Sequence, residues 1–392
     1  MSEIKVNSIK GVGASAAAIT VNNTDGTCTA NLSNRQNRNL IINGAMQVAQ
    51  RGTSFTASNS FPVDRFHCAH SGADEAPTFA QVDVASGTSP YAAGFRKCLK
   101  ITNGNQTSGA GSSDEMNVIY NIEAQDLTNS GWDYSSTSSF VTFSFWIKSS
   151  VAQTFYGYMR SYDNTSTSYA FETGSLSANT WTKVTKTISG NSGLDINNDN
   201  GLGIQIRFFA YAGTGFTNNS TSTNAWATYN SSARTPDNVS TWYTTNDATL
   251  EITGVQLEVG SVATDFEHRS FGQELALCQR YFQKSFDATV TPATSVTKCV
   301  YTFTRPYSSG YHEGLGNDYV VEMRSQPSLV FYPTAATGSG SVGQVTYYDS
   351  GWSNASGIYN TSQSNNKRLV FTMNTTSGTT LVQYNYTLSA EL

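Results

Sequence analysis

The chain predicts an all-β protein: an antiparallel β-sandwich, a short connector helix and a smaller C-terminal β domain. Three observations carry this reading. Apolar residues recur at every second position in many short runs, as half-buried strands require. Gly/Ser/Asn turns punctuate those runs at the spacing of a sandwich. Helical periodicity is clear in one place, after Ser270.

Residues 1–38 alternate weakly at Ile4 and Val6, return at Ile19-Thr-Val21 and dissolve into Asn, Thr and Gly. That is too little apolar surface for a core, so an arm is expected, either ordering against a partner or left loose. From 39 to 268 the alternating sets are Phe95/Lys97/Leu99/Ile101, Met116/Val118/Tyr120/Ile122, Val141/Phe143/Phe145/Ile147 and Leu202/Ile204/Ile206/Phe208. Two sheets laid face to face bury all of them. In Leu250–Val259 the phase slips: Leu250 and Ile252 share one face, Val255, Leu257 and Val259 the other. A strand changes phase only by taking in an extra residue, so a bulge is predicted at Gly254.

Ser270 and Gln273 have capping-box spacing. Leu275, Cys278 and Phe282, with Leu277 and Tyr281 beside them, form an apolar stripe, so 269–284 reads as the connector helix. Glu274, Gln279, Arg280 and Gln283 fall on its expected wet side. Residues 285–392 alternate again at Cys299/Tyr301/Phe303, Leu369/Phe371/Met373 and Val382/Tyr384/Tyr386/Leu388.

With 392 residues the chain can bury real cores. Only 13% of residues are charged, against 12% aromatic with 21 Tyr, so surface polarity comes from Ser, Thr, Asn and Gly. A net charge of −5 gives no basic footprint for nucleic acid. No apolar run reaches membrane-span length, so no insertion is expected, and the start of the chain lacks a secretory pattern. Asn-x-Ser/Thr triplets such as that at Asn238 are read as compositional. Five widely spaced cysteines with no CxxC pair predict buried thiols, neither disulfides nor structural zinc.

Catalytic patterns are thin. His67 and His70 lie on opposite faces of a strand and lack further ligands, so no metal site is expected there. His268 reads as structural. Asp195, Asn197 and Asp199 place oxygens as a calcium loop begins, yet Gly201 comes one place late and Ile206 stands where the last ligand belongs. Glu251, Glu258, Asp265 and Glu267 supply carboxylates, but nothing selects a glycan-cleaving pair. No enzyme and no cofactor is expected. Between Phe209 and Trp242 a long Ser/Thr/Asn/Gly segment carries aromatics: Tyr211, Phe216, Trp226, Tyr229 and Trp242-Tyr243. Sugars offer C–H faces and hydroxyls, which such a surface suits, and Tyr211, Trp226, Tyr229, Trp242 and Tyr243 are the candidate glycan contacts. The competing reading is that they anchor the loop to its own sandwich.

Three segments carry a resemblance. They are Asn39-Leu-Ile-Ile-Asn-Gly-Ala-Met-Gln-Val-Ala-Gln-Arg-Gly52 with Val63-Asp-Arg-Phe66, then Phe143-Ser-Phe-Trp-Ile-Lys-Ser149, and Gly254-Val-Gln-Leu-Glu-Val-Gly260 running on to Phe266-Glu-His-Arg-Ser270 and Cys278-Gln-Arg-Tyr281. Together they resemble bacteriophage tail-fibre and related virion structural proteins with a carbohydrate-binding-module-like jelly roll. Val321-Glu-Met-Arg-Ser-Gln-Pro327 matches more loosely. The resemblance implies a jelly-roll topology, a location in the virion and attachment to other virion proteins through residues 1–38. It further implies contact with host-surface polysaccharide and a homotrimer, to which the wide apolar side of the connector helix adds a physical reason. A tail fibre or receptor-binding subunit is the favoured role. A capsid-attached fibre or decoration protein, or a polysaccharide-degrading tail enzyme, are the alternatives.

Overall fold

The computed structural model describes residues 37–287 except 164–165, and 290–392 except 294–296, 298–299, 309–310, 338–339, 356–357, 361–363, 375–378 and 380; before Asn37 it describes 7–10, 12, 19–21 and 28–30. Strands β1 (Ser8–Ile9), β2 (Ile19–Val21) and β3 (Cys28–Ala30) pair in that order as a small sheet. Ile4 and Val6 lie outside the described residues.

Two larger sheets follow. Their strands are β4 (Ser54–Phe55), β5 (Ser60–Val63), β6 (Phe66–Ser71), β7 (Thr78–Asp83), β8 (Lys97–Thr102), β9 (Glu115–Glu123), β10 (Phe140–Ser149), β11 (Thr154–Ser161), β12 (Thr167–Ser175), β13 (Thr182–Ser189), β14 (Leu202–Ala212), β15 (Trp226–Thr228) and β16 (Thr249–Val259). The six-stranded sheet runs β13-β10-β16-β8-β7-β4 and the seven-stranded sheet β15-β12-β11-β14-β9-β6-β5, with antiparallel ladders throughout. This is a jelly-roll sandwich. Phe143 and Phe145 of β10 meet Phe171 of β12 and Phe208 of β14 across the gap, with ring centroids 5.0–6.2 Å apart. The apolar phase of each predicted set enters this core, except that Phe95 packs on the outer side of the six-stranded sheet and Leu202 is half-buried.

The predicted bulge is present. Ser144 faces Gln256 and Trp146 faces Thr253, so β16 spends three steps where β10 spends two. Gly254 takes φ +63°, and Leu250, Ile252, Val255 and Leu257 all end up in the core as a result. Val259 is exposed.

Residues 39–46 are wedged beside that bulge. Leu40 N donates to Leu257 O at 2.9 Å and Val255 N to Gly44 O at 3.0 Å. A Cβ on Gly44 would stand 2.0 Å from the Val255 carbonyl oxygen, so only glycine fits. Asn39 donates to Val255 O and Glu267 and accepts from Ile41 N and Leu257 N. Asn43, in the left-handed region at φ 61°, donates its backbone N–H to Glu274 and its amide to Val48 O and Asp64 O.

The helix is shorter than its sequence pattern. α4 spans Phe271–Gln279, with the Ser270/Gln273 capping box formed. β17 (Phe282–Lys284) is already a strand, so Phe282 is no part of a helical stripe. The wet side is corrected as well. Glu274 and Gln283 are buried while Leu277 is exposed, because Glu274 serves Asn43 N and Arg269, and Gln283 bonds Val321 O and Val320 N. Satisfied hydrogen bonds let these polar groups leave water. Burial nonetheless pushes the Glu274 carboxyl up. The remaining helices, α1 (Ser89–Ala92), α2 (Ala124–Thr128) and α3 (Thr241–Thr244), are single turns.

Beyond β17 lie β18 (Val300–Ser308), β19 (Tyr311–Asp318), β20 (Ser328–Tyr332), β21 (Val345–Tyr348), β22 (Trp352–Ala355), β23 (Ile358–Asn360), β24 (Arg368–Asn374) and β25 (Leu381–Ser389). β25 is their organiser: its first half pairs β18 and β21, its second half β17 and β20. Leu369, Phe371, Met373, Val382, Tyr384, Tyr386 and Leu388 form this unit's core. Cys299 and the side chains of Tyr301 and Phe303 lie outside the described residues.

The residues after β25 return to the sandwich. Glu391 receives Arg51 at 2.9 Å and also Arg65, whose guanidinium lies 3.3 Å over the Tyr281 ring and donates to Asn121 O. Arg51 covers Phe282 at 3.8 Å, and Gln50 joins Asp64 to Phe282 O. Burial alone would raise the Glu391 pKa, but the two arginines prevail and hold it below its usual value. Asp64 goes the other way, its burial outweighing Arg51. Glu123 accepts Arg280 at 2.8 Å through both oxygens and takes the Tyr281 hydroxyl; burial opposes its ionisation, yet these bonds depress its pKa. Four of the charged residues quoted from the N-terminal and helix motifs, Arg51, Asp64, Arg65 and Arg280, thus meet at one junction, as do the aromatics beside them.

Candidate functional site

The aromatic segment does not form one platform. Tyr211, Trp242 and Tyr243 are buried in the sandwich core, Tyr211 stacked on Tyr243 at 4.4 Å, and offer no ring face to a ligand. Trp242 is fixed further by Nε1 to Thr249 O at 3.0 Å and packs edge-on to Phe155. Their assignment as sugar contacts is therefore corrected. The pattern of aromatics among small polar residues is the same for a loop anchor as for a binding surface; here α3 turns Trp242 and Tyr243 inward.

Tyr229 is half-buried and pins the loop to the outer face of the seven-stranded sheet, where Arg160 lies 3.6 Å over its ring and Tyr158 touches it at 6.0 Å. Phe216 acts likewise beneath Arg234. Under this cover runs a polar network: Glu115 accepts Arg207 and Arg234 at 2.7 Å each, and Gln205 takes Tyr158, Tyr162 and Arg207. Gln205 and Arg207 are the polar phase of the Leu202/Ile204/Ile206/Phe208 set, and the interlocking belongs to the loop's attachment.

Trp226 lines an open groove of about 630 Å³. It sits on edge strand β15, which pairs with β12 at Tyr169↔Trp226. Its Nε1 donates to Ser189 O at 2.8 Å and its ring packs T-shaped on Tyr169, so the indole is held rigidly with one side toward the groove. Around it stand Thr167, Asn191, Ser192, Asp195 and Thr228. Asn191 and Ser192 escaped the sequence reading because the turn after β13 reaches Trp226 only through strand pairing remote in sequence.

The remaining chemical candidates are engaged in the fold. Asn197 donates twice to Asp163, Asp199 accepts from Gly201 N, and Asn198 accepts from Thr128 and Asn129. His67 stacks on Phe61, and His268 Nε2 bonds Ala93 O at 2.9 Å. Glu251 pairs Lys148, Glu258 takes Thr264 and Arg38, and Glu267 holds Asn39 and Arg269. Among the described residues no three His, Cys, Asp or Glu side chains converge as a metal site would require. Cys68, Cys98 and Cys278 are free and buried, with burial pushing each thiol up.

No protein-family model and no curated protein matches the chain. Among solved structures it is similar to the enzymatically active domain of bacteriophage CBA120 tailspike protein 4, at 10% identity and a TM-score of 0.29 over 57% of this chain and 21% of that one. It is also similar to the CBM22-1 xylan-binding domain from Paenibacillus barcinonensis Xyn10C (8% identity, TM-score 0.27, 57% of this chain and 96% of that one). A third is the family 11 carbohydrate-binding module from Clostridium thermocellum (10%, 0.25, 55% and 98%). This chain thus spans about a fifth of the tailspike domain. These likenesses concern the fold.

Proposed function

We propose that this protein is a phage virion structural protein, a tail fibre or receptor-binding subunit that attaches through its N-terminal arm and contacts host-surface glycan without cleaving it. One observation carries the glycan part: a rigidly held Trp226 lines an open groove among hydroxyl, amide and carboxylate side chains. A pyranose ring stacks its C–H face on such an indole and exchanges hydrogen bonds with those groups. The motif resemblance supports the virion part.

The test is retention of the protein on host-envelope polysaccharide. Trp226→Ala is expected to abolish retention while leaving the fold intact, and undiminished retention overturns the reading. Release of reducing ends from that polysaccharide would favour the enzyme alternative.

Attachment has its own test. Asn37 N bonds Glu267 and Arg38 pairs Glu258, so a truncation beginning at Asn37 keeps the sandwich's bonds. It should fold yet stay out of particles, and normal incorporation sinks the proposed arm. Immunogold label confined to the capsid shell would favour the capsid-fibre alternative. Threefold assembly is part of the same proposal, supported by exposed Phe271 and Leu277 on α4; a monomer mass in light scattering at micromolar concentration removes it.

A further inference from the structure

A second groove, of about 430 Å³, lies on the outer face of the six-stranded sheet, the face turned away from the seven-stranded sheet and Trp226. Outward positions of a solvated sheet ordinarily carry polar residues. Here they carry Trp146 on β10, with Trp181 just ahead of β13, both half-buried. The bulge builds the floor. A Cβ on Gly254 would lie 2.6 Å from the Phe95 ring and 3.0 Å from that of Trp146, so glycine lets both rings close down on the strand.

The walls are fixed too. Phe95 meets Phe266 edge-on at 4.8 Å and His268 at 5.1 Å, and His268 is held to Ala93 O. The rim carries opposite charges. Lys183 is the ladder partner of Trp146 and is exposed; Asp265 is exposed and also lines the groove.

We propose that this groove binds one pyranose residue of a neutral saccharide, as a site separate from the Trp226 groove. Trp146 supplies a flat apolar face for the ring C–H groups. Neighbouring sugar hydroxyls each donate and accept, and Lys183, a donor, and Asp265, an acceptor, meet both needs. A uniform anion fits less well, because Asp265 repels it. The inference rests on the same glycan-contact chemistry as the proposed function, but on different residues.

Titrations of the full chain with maltotriose, cellotriose, xylotriose and mannotriose, followed by calorimetry, test it in a Trp226→Ala background. At least one sugar is expected to bind saturably. Trp146→Ala should abolish that binding, and Lys183→Ala and Asp265→Asn, both on the exposed rim, should weaken it by about tenfold or more. Trp146→Phe, which keeps an aromatic face, should restore part of it. Silence from all four sugars, or binding that survives both Trp146→Ala and the rim substitutions, overturns the second site. Binding in the unaltered chain that Trp226→Ala removes entirely leaves the first groove standing and this one refuted. The converse, loss on Trp146→Ala alone, refutes the first and upholds this one.

Discussion

The loop between Phe209 and Trp242 and the junction around Arg65 invert each other. The loop offers large aromatics set among Ser, Thr and Asn, and the structure takes three candidate rings, Tyr211, Trp242 and Tyr243, into the core. The junction offers Asp64, Arg65, Glu123 and Glu274, which composition assigns to the surface, and all four are buried. The difference shows that partners decide burial more than residue type does. An aromatic ring moves inward wherever strand packing leaves it room, whereas a charge does so only when its counter-charge and hydrogen bonds are already in place.

The sharpest test sets one residue from each region side by side. Trp242→Ala empties a fully buried site and is expected to cost about 3–5 kcal/mol. Arg65→Ala is expected to match it, at about 3–5 kcal/mol, since it strips a buried ion pair and the ring contact with Tyr281 together. Chemical denaturation of both variants checks this. A near-neutral Arg65→Ala would break the comparison.

Acid should separate the regions next. Glu123 and Glu391 have depressed pKa values, so their contribution is complete above the usual value of 4.5 and disappears as pH falls through the folded values. Asp64 and Glu274 are raised, and they act in the opposite sense, favouring the folded state below their usual values and losing that effect as pH rises through the folded ones. Of the depressed pair, Glu123 holds Arg280 and Tyr281 just ahead of β17, and Glu391 itself follows β25. Contacts between the C-terminal unit and the sandwich should therefore loosen as pH falls below 4.5 while the sandwich core persists. Hydrogen exchange at Tyr281 and Ala390, whose backbones bond each other, against Phe143 and Phe208 reads this out. Simultaneous loss at all four positions would contradict it.

A smaller effect is expected from the helix cap. Ser270→Ala removes an observed capping box and should cost about 1 kcal/mol, measured by the thermal midpoint. Smallest of all is Trp226→Ala, whose ring is half-buried at an edge strand; it should cost less than about 1 kcal/mol while removing glycan retention.

By itself the sequence determined the strands whose alternating sets it carries, their inward phases apart from Phe95, the bulge at Gly254 and the capping box, because each depends on neighbours within a few residues. Period-two alternation tells which face of a strand is apolar whatever it packs against. The sequence also contained Trp226, though without the turn residues Asn191 and Ser192 that complete its groove. Only the tertiary structure decided the length of α4, the inward turn of Glu274 and Gln283, and the outward-facing Trp146 groove. It also decided that Asp64 and Arg65, at the tip of a two-residue hairpin turn, lie buried. Glu274, Gln283 and Arg65 depend on partners more than thirty residues away, namely Asn43, Val321 and Glu391. Local pattern has no term for a hydrogen bond or charge that arrives from so far along the chain, and burial of a polar group is settled by that arrival.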